Sequence, residues 1–236
     1  MGQSPINLQG MAGLSPIARE TTQDMVYGQL RNSLICGGFD AGEVFKPAEL
    51  SRRLSVSSMP VREALARLVS ERALEAMPNR RVRVPLLDLT QMRRIGSARK
   101  LIEGELAACA IHNITNADIA KLEDLTTQYE AASDENTVAL ANHAFHFTIY
   151  ERAESHVLIP FAESLWMQAG PYIRAASRLV AKPLDTSATR FHHAIIQALR
   201  KGNRGDLIDA LHNDLSQPFD ILERTDETVW GHAQNG

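Results

Sequence analysis

The chain has 236 residues, of which 44% are hydrophobic and 22% are charged, which is close to the ordinary composition of a soluble globular protein. This composition excludes a disordered or collagen-like chain, and the length allows one large domain or two small ones. The formal net charge is −3, so the chain as a whole lacks the basic character of many nucleic-acid-binding proteins.

The charge is distributed unevenly along the chain. Residues 18–85 hold 11 Lys and Arg against 8 Asp and Glu, whereas residues 86–236 hold 14 against 20; together they account for all 25 basic and 28 acidic side chains. A basic N-terminal third on an acidic remainder is typical of a nucleic-acid-binding module fused to a second module. Chance clustering on a solvated surface explains the same counts.

The cysteines and the first residues bear on the cellular compartment. Cys36 and Cys109 both stand among apolar residues, which predicts buried free thiols rather than a disulfide. No segment approaches the roughly 18 apolar residues that a membrane span requires. Residues 1–17 lack the basic start and apolar core of a signal peptide and are predicted to form a flexible tail. These features predict a cytoplasmic protein without membrane contact.

Residues 18–86 are predicted to form a small domain. Helical spacing of apolar residues indicates a helix that ends near Ile35, and Pro47 begins a short second helix. A third helix follows a Ser-Ser pair that can cap it. Two short extended runs around the sequence Pro-Asn-Arg-Arg then give a hairpin signal. This order of elements is that of a winged helix-turn-helix.

The pattern is helical throughout residues 87–228. Six helices are predicted there, at about 88–111, 115–132, 135–153, 156–180, 186–201 and 204–225. Pro160 and Pro171 lie inside the fourth helix and are expected to kink or split it. The predicted fold class is therefore mainly α, with an N-terminal winged helix-turn-helix followed by an all-α helical bundle and a short tail at 229–236.

The third helix has the properties of a DNA recognition helix, which presents cationic or hydrogen-bonding side chains at its N-terminal end. One turn into this helix, an arginine can reach both acceptors of a guanine edge, and the arginines of the hairpin tip can meet phosphates or the minor groove. The predicted DNA-binding residues are Ser57, Ser58, Met59, Arg62, Arg67, Arg80 and Arg81. A solvated surface charge explains any one arginine; the combination indicates DNA.

Residues 50–84, LSRRLSVSSMPVREALARLVSERALEAMPNRRVRV, resemble the DNA-binding domain of GntR-family transcription regulators. The PVREAL core, its downstream Arg-Leu and the wing strands carry the resemblance, which implies that Arg62 is the base-reading arginine. Two residues depart from the family's pattern: Ser58 stands where an arginine is usual, and Arg81 stands where a glycine is usual. These departures imply a shifted operator sequence.

Four polar side chains of the second half are predicted to meet. Asn142 and His146 are four residues apart, so they share a helix face, and His192 and Asp214 stand beside apolar residues that must face the core. Such groups from three helices can form a cage for a divalent metal. A hydrogen-bonded polar pair in the core is an equally good explanation for Asn142 and His146. In a metal-free pocket, His146 and His192 would bind an organic ligand directly.

This half also resembles the FadR-type C-terminal ligand-binding domain, in the subgroup that holds a metal with one Asp and three His. The segments FHFTIYERAESHVL, HHAIIQALRKGN and ALHNDL carry the resemblance. It implies ligands at Asn142, which replaces the Asp, at His146 and His192, and at Asp214, which replaces a His. One carboxylate and two imidazoles remain, a set that can hold Zn²⁺, Ni²⁺ or Mn²⁺.

Arg99 begins the segment RKLIEGELAACA, which matches the same subgroup. The resemblance implies that Arg99 faces the pocket and binds a carboxylate effector by bidentate pairing. The alternative is an ion pair with Glu103, four residues further along the same helix.

The predicted function is a ligand-responsive transcription regulator, expected to be a repressor. It would bind a double-stranded DNA operator as a homodimer, because one recognition helix reads only a few base pairs, and would sense a small organic acid. The alternative function is a metal-dependent hydrolase or lyase that uses His146, His192 and Asp214. No general base accompanies that site, and the sequence contains no GxSxG, P-loop or GxGxxG motif, so an enzyme is not expected.

Overall fold

The computed structural model describes residues 21–179 and 189–225, which form nine α-helices and one three-stranded sheet. The predicted tails at 1–17 and 229–236, and the start of the predicted helix at 186–201, lie outside the described residues. The mainly α fold class is confirmed.

The N-terminal part contains three helices and three short strands. The helices are α1 (Thr22–Ile35), α2 (Pro47–Leu54) and α3 (Ser58–Ser70), and the strands are β1 (Val44–Phe45), β2 (Glu75–Met77) and β3 (Arg81–Arg83). The strands pair antiparallel in the order β1-β3-β2. The predicted hairpin is confirmed, and β1 adds a strand that was not predicted, because two residues are too short to show an alternating pattern.

The helices of this domain begin and pack as their sequences suggest. Thr21 caps α1 through a capping box in which its hydroxyl accepts from the backbone N–H of Asp24 and the Asp24 carboxylate accepts from the backbone N–H of Thr21. Along α3 the buried residues recur at helical spacing and face α1: Val61, Ala64, Leu65 and Leu68. This packing leaves the other face of α3 in solvent.

The second part of the chain is a bundle of six helices. They are α4 (Leu89–Ala110), α5 (Asn116–Ala131), α6 (Glu135–Tyr150), α7 (Leu158–Leu179), α8 (Arg190–Lys201) and α9 (Arg204–Glu223). A 3₁₀ turn at Glu151–Ala153 extends α6. Thr115 caps α5, and Gly202 ends α8 with a positive φ of 61°.

The predicted split of the fourth bundle helix is wrong, since α7 is one continuous helix. Pro160 lies in its first turn, where the missing N–H has no partner within a helix anyway. Pro171 lies inside α7 and removes one backbone hydrogen bond without ending the helix.

Helix α7 joins the two parts of the molecule through close backbone contact. A Cβ atom on Gly170 would lie 2.0 Å from the carbonyl oxygen of Leu34 in α1, so only glycine fits at this position. Arg174 donates to the carbonyl oxygen of Gly37 at 2.7 Å, and Tyr172 donates to that of Pro85 at 2.8 Å. The N-terminal part is therefore packed directly on α7.

The two cysteines differ in their exposure to solvent. Cys36 is buried as predicted, but Cys109 is exposed on α4, where Glu105 lies beside it; the prediction that both are buried is wrong. Among the helices of the described residues, none is long and apolar enough to cross a membrane.

Replacement of Gly170 by alanine tests the contact between α7 and α1. The new Cβ meets a backbone carbonyl that cannot rotate away, so the free energy of unfolding should fall by about 1–3 kcal/mol. Gly28→Ala is the matched control, because a Cβ there meets nothing within 4 Å; it should raise stability by about 0.5–1 kcal/mol. Urea unfolding measures both, and equal stability of G170A and the unchanged protein would contradict the contact.

Candidate DNA-binding surface and metal site

The N-terminal end of α3 presents four of the predicted DNA-binding residues to solvent. Ser57, Ser58, Met59 and Arg62 are all exposed, and the Ser57 hydroxyl makes no capping bond although Ser57 is the N-cap residue. Arg62 forms no ion pair within the described part of the chain. These groups are therefore available to base edges and phosphates.

Arg67 lies in a different environment, near the C-terminal end of α3. Its guanidinium stands 3.6 Å from the centre of the Tyr27 ring, and its Nε donates to Glu71 at 3.1 Å. The structure thus engages Arg67 with α1 and with its own helix, apart from the other four residues.

The wing tip is built without glycine. Asn79 and Arg80 both have left-handed backbones, with φ of 60° and 58°, whereas Arg81 is extended with φ of −89°. Position 81 therefore needs no glycine, and the arginine there causes no backbone strain. Arg80 is exposed, while Arg81 is half-buried with its Nε atom buried and unpaired among the described residues.

Sequence reasoning missed the cations of α2. Arg52 and Arg53 are exposed and form no ion pair within the residues described. By contrast, Arg31 and Arg83 are paired, Arg31 with Glu163 of the bundle and Arg83 with Glu75 in the neighbouring strand. Arg31 thus links α1 to α7, and Arg83 links the two strands of the hairpin. A count of the charged residues along α2 could have identified Arg52 and Arg53 as candidate DNA contacts.

The four predicted metal ligands come together as expected. Asn142 and His146 come from α6, His192 from α8 and Asp214 from α9. The Nε2 atom of His146 lies 3.0 Å from Oδ2 of Asp214, and Nε2 of His192 lies 3.1 Å from Oδ1 of Asn142 and 3.7 Å from Oδ1 of Asp214. One donor atom from each of His146, His192 and Asp214 lies within 4.8 Å of the others.

Aromatic rings fix the two imidazoles in place. The Phe145 ring stacks on His192 with ring centres 3.9 Å apart and an angle of 9° between the planes. Trp166 of α7 lies against His146, with ring centres 5.3 Å apart. Both histidines are buried. The orientation of the donor atoms is therefore set by packing.

The electrostatics of the site favour a neutral imidazole beside an ionised carboxylate. Burial lowers the pKa of His192 to about 4, so this ring is neutral at pH 7. Burial alone would raise the pKa of Asp214, but the polar groups around the carboxylate, His146 first among them, outweigh burial and lower the pKa overall. Both states are the ones that ligate metals.

A buried carboxylate, Glu103, organises the surroundings of the site. Arg99 donates to it from Nε at 2.7 Å and from Nη2 at 3.3 Å, Tyr150 donates from its hydroxyl at 2.6 Å, and Trp166 donates from Nε1 at 2.9 Å. Glu103 is fully buried. The ion pair considered as the alternative for Arg99 is thus present, and the guanidinium also lies 4.5 Å from the centre of the Trp166 ring.

Glu103 determines which nitrogen of His146 carries a proton. The Tyr150 hydroxyl has one proton and donates it to Glu103, so its oxygen accepts from Nδ1 of His146 at 3.1 Å. Burial, and then the charge of Glu103, raise the pKa of Tyr150 well above 10, which keeps that proton in place. With Nδ1 donating to Tyr150, the other ring nitrogen of His146, Nε2, faces the Asp214 carboxylate. Two electron-rich atoms 3.0 Å apart need a proton or a cation between them.

The residues present fit a divalent metal ion. Bonds of about 2.0–2.2 Å from one ion to nitrogen and oxygen place neighbouring ligand atoms about 3.0–3.5 Å apart. The distances of 3.0 and 3.1 Å within the cluster lie in that range, and the 3.7 Å between His192 Nε2 and Asp214 Oδ1 is slightly longer. His192 Nδ1 is buried without a partner among the described residues, whereas His146 has the supporting partner that metal-binding histidines usually have.

Two residues of this site were missed from the sequence, Tyr150 and Trp166, and Glu103 was considered only as the ion-pair partner of Arg99. Tyr150 follows His146 by four residues, as His146 follows Asn142, so one helix face carries all three polar groups. That spacing was the available signal for Tyr150. Trp166 gave none, because its position depends on how α7 packs.

Comparisons with known proteins agree with both halves of the chain. Residues 22–84 match the bacterial regulatory proteins of the gntR family, and residues 94–217 match the FCD domain. The HTH-type transcriptional regulator McbR of Escherichia coli (strain K12) is 26% identical over 215 residues, which cover 90% of this chain and 97% of McbR. The gluconate operon transcriptional repressor of Bacillus subtilis (strain 168) is 26% identical, with 91% and 88% covered.

A solved structure has the same fold. The structure of E. coli McbR/YncC matches with a TM-score of 0.81 at 27% identity, over 86% of this chain and 98% of that one. The similarity therefore extends through both the winged helix-turn-helix and the bundle.

Removal of the Tyr150 hydroxyl tests the hydrogen-bond order around Glu103. Tyr150→Phe leaves Glu103 short of one donor and His146 Nδ1 without an acceptor, so the free energy of unfolding should fall by about 1–3 kcal/mol. Tyr27→Phe is the control, because the Tyr27 hydroxyl donates to the half-exposed Glu71; it should cost less than about 1 kcal/mol. If chemical denaturation showed the same loss of unfolding free energy in Y150F and Y27F, the proposed hydrogen-bond order around Glu103 would be contradicted.

Proposed function

Because the chain belongs to the GntR family of bacterial transcription regulators and carries an FCD domain, we propose that it is a repressor controlled by a small organic acid. The observation that carries the proposal is that α7 contacts the polar site through Trp166 and, through Gly170, helix α1, which packs on α3. The alternative of a hydrolase or lyase has no support, since the family and the relatives are regulators rather than enzymes.

We propose that the exposed end of α3 reads the operator. Ser57, Ser58, Met59 and Arg62 would face base edges in the major groove, with Arg62 on a guanine. Arg80 and Arg81 of the wing, together with the free arginines of α2, would contact phosphates or the minor groove. Arg67, held by Tyr27 and Glu71, would contribute by fixing the position of the helix.

The polar cluster of the bundle is proposed to hold a divalent metal, Zn²⁺, Ni²⁺ or Mn²⁺. The ligands would be Nε2 of His146, Nε2 of His192 and the Asp214 carboxylate, with the weaker amide oxygen of Asn142 beside them. The close approach of His146 Nε2 and the Asp214 carboxylate, with His192 Nε2 beside them, supports this assignment. When bound, the ion supplies positive charge and an open coordination position to a ligand.

The charges of the buried site favour an anionic effector. A divalent ion and Arg99 bring three positive charges, while Asp214 and Glu103 bring two negative ones, so the buried group carries one excess positive charge. Burying an unbalanced charge is costly, and one carboxylate would neutralise it. Arg99 uses two of its five N–H donors on Glu103 and keeps others for such a ligand.

A route from the effector to DNA runs through α7. A carboxylate that binds Arg99 competes with Glu103, and Glu103 also holds Trp166 of α7. One turn later in α7, Gly170 lies against the backbone of α1, which packs on the recognition helix. We therefore expect effector binding to change the position or freedom of the DNA-binding domain.

The assembly and the compartment complete the proposal. One α3 helix spans only a few base pairs, so a homodimer on a palindromic operator would supply the required specificity. A regulator of this kind would act in the cytoplasm, where the bacterial chromosome lies.

Replacement of Arg62 tests the recognition surface. Arg62→Ala should weaken operator binding by about 1–3 kcal/mol and relax the preference at one base position, because the guanine contact is lost. Arg67→Ala is the control within the same helix and should leave the base preference unchanged. Fluorescence anisotropy with single-base operator variants measures both effects; unchanged affinity of R62A would exclude Arg62 from base reading.

Replacement of His192 tests the metal site. His192→Ala and Asp214→Asn should each remove the ion from the purified protein, measured by elemental analysis, while circular dichroism shows an intact fold. His193→Ala is the control, since His193 is exposed and pairs with Glu130 outside the cluster. Full metal occupancy in H192A would contradict the assignment.

A further inference from the structure

The recognition helix carries an exposed apolar side chain at its leading end. Met59 is 68% exposed and stands in the first turn of α3, two residues after the N-cap residue Ser57. The buried face of this helix points to α1 and lies on the other side. In the proposed complex the Met59 side chain would lie in the DNA interface, where contact with an apolar group of the DNA would stabilise binding.

Met59 and Arg62 lie on one face of α3. Residues three apart are neighbours on a helix surface, and their positions differ by about 4.5 Å along the helix axis. Successive base pairs are about 3.4 Å apart. The two side chains therefore reach base pairs that are adjacent or one step further apart.

Only one group in the major groove is apolar, the C5-methyl group of thymine. A methionine side chain has three rotatable bonds and a polarisable sulfur atom, so it adapts readily to a methyl surface. Ser58, the residue before it, is too short to cover the same ground and offers only a hydroxyl. On these grounds we infer that Met59 is a specificity-determining residue that selects a thymine next to, or one base pair from, the guanine read by Arg62.

The inference rests on the proposed operator binding and adds one thymine to the bases that the protein would recognise. Burial of a single methyl group against Met59 corresponds to about a fourfold gain in affinity for each thymine. Removing that methyl group from the DNA, with all hydrogen-bonding groups unchanged, should therefore cost about fourfold. The same loss should be absent once the side chain of Met59 has been shortened.

The experiment uses the full chain and duplexes that it selects from a random pool. Each thymine of the selected sequence is replaced in turn by uracil, which lacks only the methyl group, and binding is measured by fluorescence anisotropy. We expect one thymine in each half-site, beside the Arg62-dependent guanine, at which uracil weakens binding about fourfold. In Met59→Ala this difference should fall to within twofold, and in Met59→Leu it should remain.

Met25→Ala is the matched control, because Met25 is 48% exposed but lies on α1 rather than on the recognition helix; its uracil profile should equal that of the unchanged protein. Selective binding without any uracil-sensitive thymine, or with the same sensitivity in M59A, would overturn the inference and leave the proposed function intact. Absence of any sequence-selective binding would overturn both.

Discussion

The buried carboxylate of Glu103 is the interaction around which the polar site of the helical bundle is organised. It lies in α4 and accepts hydrogen bonds from Arg99, from Tyr150 of α6 and from Trp166 of α7, so three helices are fixed around one charge. A fully buried carboxylate is tolerated only when its partners are complete. Because Tyr150 must donate to it, the proton of His146 is directed to Nδ1, and Nε2 is left to face Asp214.

The same constraint links the two ends of the regulator. Trp166 contacts the polar site, and Gly170, four residues further along α7, contacts the backbone of α1. A movement of α7 would therefore change both contacts. An apolar bundle core could move by small repacking steps, whereas a charged hydrogen-bond cluster has few alternative arrangements. A site of this kind suits a switch that must respond to one small ligand.

Much of this structure was predictable from the sequence, for identifiable reasons. Helical periodicity and caps such as Thr115 indicated the bundle, and i,i+4 spacing brought Asn142 and His146 together. Features that depend on tertiary packing were not accessible: the contact of Trp166 with Glu103, the engagement of Arg67 by Tyr27, and the continuity of α7 through its prolines. Local patterns carry no information about which distant helix faces a given side chain.

The tautomer of His146 is the most direct test of the hydrogen-bond order from Glu103 through Tyr150 to His146. In zinc-loaded protein labelled with ¹⁵N, long-range ¹H–¹⁵N correlation spectra distinguish the two ring nitrogens and show which carries hydrogen. We expect a proton on Nδ1, hydrogen-bonded to Tyr150, and a metal-bound Nε2 that carries no hydrogen. A neutral ring with its proton on Nε2 and a bare Nδ1 would contradict it, because Tyr150 would then donate to His146 instead of Glu103 and Asp214 would need no cation.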